Sequence, residues 1–323
     1  MRFSFRVRMM LAFLLACSAM PLSTARAVIL YSSQTRNTAA PRGSLADSGW
    51  QWEGIFGGFL GTVITKKYII TASHFNAPVG TSFDIAGTKH RTVDFWDDPN
   101  SDLRIYKCVG TFTSWAPLVK SNLETNRVAM MIGRGTARGD EVMVNGHLNG
   151  WKWGEEDHVQ AWGRNLINGT VDGGKDIGQM LRMDFDANGV GYEGAYSRGD
   201  SGGGLFVKVG TKWLLAGVAY SADGPYSTSG DGANAFDASL FDRGGLWSQS
   251  TGFVQDQPQN LPGASYASRI FSNLNWIGGV LSGTIPPSDP EGGGIGRGVP
   301  EPASSAAVSL CAFAALARRR RRR

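Results

Sequence analysis

The sequence predicts an all-β protein that is built from many short strands. Valine, isoleucine, threonine, phenylalanine and tryptophan recur in short runs, and these residue types favour strands. The 44 glycines supply tight turns between such runs. With 42% hydrophobic and only 18% charged residues, the composition is that of a folded protein, and the chain is long enough for one large core or two smaller ones.

The N-terminal segment has the features of a secretory signal peptide over residues 1–27. A basic start is followed by a short apolar run and by the small-x-small site Ala25-Arg26-Ala27, which predicts cleavage before Val28. A second interpretation is open, because the segment LLAC resembles a lipobox that would make Cys17 a lipidated first residue. Both interpretations predict export of the chain.

The positive net charge of the chain comes from its two ends. Residues 1–27 carry four arginines and residues 303–323 carry six, and neither segment contains an acidic residue. Acidic residues outnumber basic ones in between, so the sequence gives no reason to expect a nucleic-acid partner. Cys108 is the single cysteine between the two end segments, so we expect no internal disulfide and a buried Cys108.

The C-terminal segment has three parts in a fixed order. A Pro/Gly-rich linker over 284–298 leads to Val-Pro-Glu-Pro, then to about fifteen small or apolar residues and finally to six arginines. This order, over 299–323, resembles the PEP-CTERM sorting signal of Gram-negative bacteria, in which the basic cluster stays cytoplasmic. The resemblance implies cleavage by an exosortase, transient membrane anchoring and delivery to the cell surface or extracellular matrix. The apolar part is shorter than the roughly 20 residues of a full span, so we expect a weak hold on the bilayer.

Three segments carry candidate catalytic side chains. GFLGTVITKKYIITASHF consists of two strand-like runs around a Lys-Lys turn, and the second run leads to His74. In DDPNSDLRIYKC a polar turn places Asp102 directly before an alternating run. In EGAYSRGDSGGGLF, Ser201 follows Gly-Asp and precedes three glycines. Each segment alone is a weak signal, whereas the three in this order on an exported chain form a specific pattern.

In chain order these motifs read T-A-x-H, x-D-L-x-I and G-D-S-G-G, and they resemble the chymotrypsin/trypsin-like serine peptidases. The resemblance covers about residues 28–283, and it includes the strand WLLAGVAY and the segment SRIFSNLNWIGGVL, which is similar to the family's closing helix. It implies two six-stranded antiparallel β-barrels and a short C-terminal helix. We therefore expect an N-terminal barrel over 28–140 and a C-terminal barrel with the helix over 141–283.

The resemblance also implies a role for each site residue. His74 would be the general base that takes the proton of Ser201, and Asp102 would orient the imidazole. The backbone N–H groups of Gly199 and Ser201 would form the oxyanion hole. The expected partner is a protein or peptide substrate, with signal peptidase and an exosortase acting during export, and no cofactor is expected.

The substrate pocket is expected to differ from that of trypsin. Ala195 stands where trypsin-like members carry the acid that binds lysine or arginine, so a preference for basic residues before the cut is not expected. Small or apolar side chains fit better. Tyr220, Ser221 and Ala222 are expected to form the pocket wall.

Asp200 raises the question of activation. In many relatives this acid pairs with a new α-amino terminus, and removal of the signal peptide would expose Val28. We therefore expect the Val28 ammonium to pair with Asp200, because an unpaired buried charge costs about 3–5 kcal/mol. The alternative is that Asp200 uses local partners, and lipidation at Cys17 would exclude the pair with Val28.

Several positions depart from the family pattern. Phe59 and Phe75 stand where the family places a disulfide beside the histidine, and an apolar contact between their rings is expected instead. Ser197 stands where a cysteine normally braces the specificity loop. Gly202 and Gly203 are expected to leave room for the substrate backbone.

The segment DFDANGVGYEG, residues 184–194, copies the start of a calcium loop up to Gly189. The bidentate acid should follow at position 195, where the residue is Ala195, and Glu193 comes two residues early. An Asp/Asn/Gly turn without a metal is therefore the expected structure, and a calcium site is the alternative.

The sequence as a whole predicts an exported serine endopeptidase that forms an acyl-enzyme. Two alternatives remain open. The first is a weakly active or inactive homologue that serves as a surface or matrix binding module. The second keeps the same chemistry but acts on esters.

Overall fold

A computed structural model describes residues 28–289 of the chain. The signal peptide expected at 1–27, the sorting signal expected at 299–323 and most of the linker lie outside the described residues. No helix within the described range is long and apolar enough to cross a membrane.

Strands dominate the described part of the chain. In order they are β1 (Ile29–Leu30), β2 (Glu53–Phe56), β3 (Phe59–Val63), β4 (Tyr68–Ala72), β5 (Ser82–Ile85), β6 (Thr88–Asp97), β7 (Leu103–Cys108), β8 (Val128–Gly133), β9 (Thr136–Val144), β10 (His147–Glu156), β11 (Ala161–Asp172), β12 (Gln179–Asp184), β13 (Gly194–Ala195), β14 (Gly204–Val209), β15 (Lys212–Ala222), β16 (Tyr226–Ser227), β17 (Ala238–Leu240), β18 (Trp247–Ser248), β19 (Gly252–Phe253) and β20 (Ala264–Arg269).

Six of these strands form a first closed barrel in the order β2-β3-β4-β7-β6-β5, and all neighbours are antiparallel. Its interior is filled by aromatic and branched side chains, including Phe56, Ile69, Phe83 and Tyr106. Cys108 is buried in the same core, as expected, and burial raises the pKa of its thiol to about 12.

A second closed barrel has the order β11-β12-β20-β15-β14-β8. It begins with β8 at Val128, so the chain enters this barrel before residue 140, where the sequence had placed the boundary. The short strand β1 also lies beside this half, because Ile29 pairs with Ala195 of β13. The two antiparallel barrels confirm the expected chymotrypsin-like fold.

The two barrels share one apolar cluster with the C-terminal helix α1 (Leu274–Ser282). Ile277 and Val280 are the buried residues of this helix, and Gly283 ends it in the left-handed conformation that glycine favours. The helix therefore closes the barrel junction, as the sequence predicted.

The strands on either side of the junction are buried on both faces. In β4, Ile69 points into the first barrel and Ile70 into the shared cluster. In β14, Leu205 packs in the second barrel and Phe206 in the shared cluster. Because successive residues of a strand face opposite sides, both strands need an uninterrupted apolar run, which their sequences supply.

Candidate active site

His74, Asp102 and Ser201 meet at the junction of the two barrels. His74 Nδ1 lies 2.7 Å from Asp102 Oδ2, and His74 Nε2 lies 2.8 Å from Ser201 Oγ. The side chains of His74 and Asp102 are 4% and 7% exposed. One unbroken line of hydrogen bonds therefore joins a carboxylate, an imidazole and a hydroxyl in a nearly dry environment.

Strand pairing explains why His74 and Asp102 are neighbours. Ala72 at the end of β4 pairs with Leu103 at the start of β7 in an antiparallel ladder. The residues that follow β4 and those that precede β7 therefore lie at the same end of this pair of strands. The backbone N–H of Ser73 continues the ladder by donating to the carbonyl oxygen of Asp102 at 2.8 Å.

The Asp102 carboxylate is held by more than the histidine ring. Its Oδ1 atom accepts hydrogen bonds from Ser73 Oγ at 2.8 Å and from the backbone N–H of His74 at 3.0 Å. These donors fix the carboxylate plane and leave Oδ2 for the imidazole. Sequence reasoning missed Ser73, although its position next to the histidine was the available signal.

The two glycines after Ser201 are required by close packing, at Gly202 against the first barrel and at Gly203 against β8 of the second. A side chain at Gly202 would overlap the carbonyl oxygen of Leu60 and the hydroxyl of Thr71, both from the first barrel. A side chain at Gly203 would overlap the carbonyl oxygen of Ile132 in β8. The expectation that Gly202 and Gly203 leave room for substrate backbone is therefore corrected, because protein backbone from the first barrel and from β8 occupies that space.

The backbone around Gly199 has two available donors. Gly199 adopts a φ of 87°, which a glycine reaches without strain. Among the described residues, the N–H groups of Gly199 and Ser201 donate to no protein acceptor. Both amides are therefore available to a bound group beside the Ser201 hydroxyl.

Asp200 is buried and has local hydrogen-bond partners. Its carboxylate accepts from the backbone N–H groups of Gly135 and Ser197, each at 2.7 Å, and from Ser197 Oγ at 3.1 Å. Burial raises the pKa of this carboxyl to about 6, although these hydrogen bonds lower it. The serine at 197 thus takes part in holding the loop that carries Ser201.

Val28 is fully buried near the same loop. Two glycines locate Val28 and Asp200. A Cβ atom placed on Gly163 would lie 2.9 Å from Val28 Cγ1, and a Cβ atom placed on Gly133 would overlap the Asp200 carboxylate. In the β8–β11 ladder, Gly163 lies opposite Met131, and Met131 is two residues from Gly133. Paired residues, and residues two apart on one strand, face the same side of a sheet. Val28 and Asp200 therefore lie over one face of this ladder, about 7 Å apart along the strands. The chain continues before Val28, so it has no ammonium group there, and the Val28–Asp200 ion pair stays a prediction.

Three of the four expected pocket residues line a cavity beside Ser201. Tyr220, Ser221 and Ala222 form one wall, and the cavity encloses about 10 Å³. Ala195 lies instead at a second cavity of about 10 Å³, which also touches Ala222. The ring of Tyr220 also packs edge-on against His74, with ring centroids 5.8 Å apart.

The rings of Phe59 and Phe75 confirm the contact expected beside the histidine. Their centroids are 4.5 Å apart and their planes differ by 14°. Phe75 also presents its ring edge-on to His74 at 6.2 Å. The stacked pair therefore holds the segment after β4 without a covalent link.

Glu193 closes the loop that copies the start of a calcium site. Its carboxylate accepts hydrogen bonds from the backbone N–H groups of Asp186 at 3.1 Å and Val190 at 3.0 Å. Burial raises the pKa of this carboxyl to about 8. No group of three or more acidic, histidine or cysteine side chains within residues 28–289 is arranged to hold a metal ion.

Glu53 is a buried carboxyl that joins the two barrels behind Ser201. Its Oε1 atom accepts a 2.6 Å hydrogen bond from Thr62 Oγ1, and its carboxyl also accepts from the backbone N–H of Gly204. Its Oε2 atom has no partner among the described residues. Burial raises the pKa of Glu53 to about 8, so the folded protein keeps a proton here that the unfolded chain loses near pH 4.5.

No protein-family model matches the chain, and no curated protein matches its sequence. The fold and the geometry around Ser201 therefore carry the functional argument.

We predict that Glu53→Gln flattens the pH dependence of stability. The raised pKa of Glu53 means that the contribution of this carboxyl to the free energy of unfolding is fully present below pH 4.5 and is lost as pH rises to about 8. The slope from this one group is at most about 1.4 kcal/mol per pH unit. Denaturant unfolding between pH 5 and pH 8.5 measures it.

Glu141→Gln is the matched control, because Glu141 is exposed on β9. It should leave the wild-type slope unchanged. Equal slopes in the wild type and Glu53→Gln would show that Glu53 is ionised in the folded protein at neutral pH.

Proposed function

We propose that the protein is an exported serine endopeptidase that hydrolyses peptide bonds through an acyl-enzyme. The observation that carries the proposal is the unbroken line of hydrogen bonds from Asp102 through His74 to Ser201. Its setting at the junction of two chymotrypsin-like barrels supports the same chemistry.

In the acylation step, Ser201 Oγ attacks the carbonyl carbon of the scissile peptide bond. His74 Nε2 takes the hydroxyl proton as the Oγ–C bond forms, and Asp102 stabilises the resulting imidazolium without taking its proton. The imidazolium then gives the proton to the leaving nitrogen as the C–N bond breaks. An ester on Ser201 and a free amine result.

In the deacylation step, water replaces the amine and the same proton transfers run again. His74 takes a proton from the water, the water oxygen bonds to the ester carbon, and the proton returns to Ser201 Oγ as the ester breaks. The N–H groups of Gly199 and Ser201 supply the donors for the oxyanion in both steps, and such donation is worth roughly 3 kcal/mol. Their lack of protein acceptors supports this role.

Export would also serve as the activation step. Cleavage before Val28 creates an ammonium group on a residue that is already buried over the same strand face as Asp200. That ammonium would neutralise the carboxylate whose burial raises its pKa to about 6. The local hydrogen bonds of Asp200 with Gly135 and Ser197 would remain in place and fix the loop that carries Gly199.

The sequence signals at the two ends support a location at the cell surface or in the extracellular matrix of a Gram-negative bacterium. The signal peptide would direct export, and the C-terminal segment would give transient membrane anchoring before an exosortase acts. Ala195, in place of an acid, argues against selection for lysine or arginine before the cut.

We predict that Ser201→Ala and His74→Ala each lower kcat for peptide hydrolysis by about 10⁴-fold or more, because the two side chains act as one unit. The processed chain, which begins at Val28, is assayed with peptide and ester substrates side by side. His147→Ala is the control, since His147 is exposed on β10 and should leave kcat unchanged.

Hydrolysis of esters but not peptides would make the protein an esterase. Absence of hydrolysis in the folded wild type, or full activity in Ser201→Ala, would contradict the proposal and favour a surface binding module.

We predict that one glycine added before Val28 abolishes activity in the processed chain. The added residue moves the ammonium away from Asp200, and an unpaired buried charge costs about 3–5 kcal/mol, or at least about 100-fold in the active population. Val28→Ile keeps the terminus in place and should remain active. Full activity of the extended chain would show that the local partners of Asp200 suffice.

A further inference from the structure

The cavity beside Ser201 has room for about one water molecule. Its volume of about 10 Å³ is close to the smallest space that holds a single water, and a methyl or hydroxymethyl group is of similar size. In the peptidase proposed above, the side chain before the scissile bond must enter a space next to the nucleophile. The size of that space sets the substrate class.

Trp153 of β10 is the largest side chain that lines this cavity. It lines the cavity together with Ser201 and the aromatic rings of Tyr196 and Tyr220. Nothing in the sequence assigned Trp153 to the pocket, because a large part of the second barrel separates it from Ser201 along the chain. It reaches the site through the additional sheet β17-β10-β9, which lies outside both barrels.

Two hydrogen bonds hold Trp153 in this position. Its backbone N–H donates to the carbonyl oxygen of Asp237 at 2.9 Å, and its indole Nε1–H donates to Ser239 Oγ at 3.0 Å. Both acceptors belong to the segment that carries β17. The indole is therefore held in place, since moving it would break a partly buried hydrogen bond.

Next to Trp153 lies the second cavity of about 10 Å³, which is lined by Ala195, Ala222 and Ser239 among others. Ala222 borders both cavities, and the indole of Trp153 bonds to Ser239 at the second one. The two cavities are therefore neighbours, joined by a shared residue and by the hydrogen bond between Trp153 and Ser239.

Two residues that line the first cavity carry buried hydroxyl groups. Among the described residues, the hydroxyl groups of Tyr196 and Ser221 have no hydrogen-bond partner. A substrate hydroxyl that reached either group would supply the partner that buried polar groups normally have.

We propose that Trp153 restricts the protein to substrates with a small residue, namely glycine, alanine or serine, directly before the scissile bond. The inference rests on the proposed peptidase function and adds the residue that sets its specificity. Large side chains do not fit beside the indole and the rings of Tyr196 and Tyr220.

The test is a series of otherwise identical peptide p-nitroanilides that differ only in the residue before the scissile bond. With the processed chain that begins at Val28, kcat/KM for alanine and serine should exceed that for leucine, phenylalanine and lysine by about 100-fold or more. A wild-type preference for leucine, phenylalanine, lysine or glutamate would overturn the inference.

Trp153→Ala should join the two cavities and raise kcat/KM for the phenylalanine and leucine substrates by about tenfold or more, while the value for alanine stays level or falls. Trp151→Ala is the matched control. It removes an indole from the same strand, but Trp151 packs against Tyr31, Phe185 and Phe241 and lines neither cavity. An equal gain in kcat/KM for the large substrates in both variants would overturn the role of Trp153. A Trp153→Ala protein that still reacts with an ester but shows no gain in kcat/KM would overturn it as well.

The burst of p-nitrophenol from p-nitrophenyl acetate separates the two proposals, because the small acetyl group does not need the pocket. A burst that depends on Ser201, together with a preference for large residues, would contradict the specificity and leave the proposed function standing. The lack of any burst in the folded wild type would overturn both.

Discussion

The close contact between the two barrels at Gly202 is the constraint on which the site depends. Ser201 belongs to the second barrel, whereas its hydrogen-bond partner His74 belongs to the first, so the barrels must approach to within a hydrogen bond at this one place. The carbonyl oxygen of Leu60 and the hydroxyl of Thr71 occupy the space that a side chain at Gly202 would need. Gly202 is therefore required by packing, and a side chain there would move Ser201 away from His74.

Buried carboxyls surround this contact, and each is held differently. Both oxygens of Asp102 have hydrogen-bond partners, which Ser73 and His74 supply. Glu53 has one oxygen without a partner, and burial raises its pKa to about 8, which suits a neutral carboxyl between the barrels. The pKa shift of Asp200 is smaller than that of Glu53. Burial raises the pKa of the Asp200 carboxyl to about 6, because its hydrogen bonds with Ser197 and Gly135 offset only part of the effect of burial. A buried ammonium at Val28 would complete its environment.

Much of the fold and the central residues could be predicted from the sequence because their signals are local. His74, Asp102 and Ser201 each lie next to an apolar run, and their order along the chain resembles one family closely enough to imply two barrels. The start of the second barrel was placed too late, because the apolar run VAMMIG does not reveal which barrel it joins. Ser73 and Trp153 were missed for a related reason, since their roles depend on partners that only the folded chain brings near.

The most direct test of the account is labelling of the folded, processed chain with a fluorophosphonate, which reacts with a serine hydroxyl that a neighbouring base has activated. Mass mapping of the adduct identifies the residue. The account predicts a single adduct on Ser201 that is lost in His74→Ala, because the imidazole 2.8 Å from Ser201 Oγ supplies the activation. No adduct in the folded wild type, or the same labelling rate without His74, would show that the hydrogen-bonded line of side chains is not a catalytic unit.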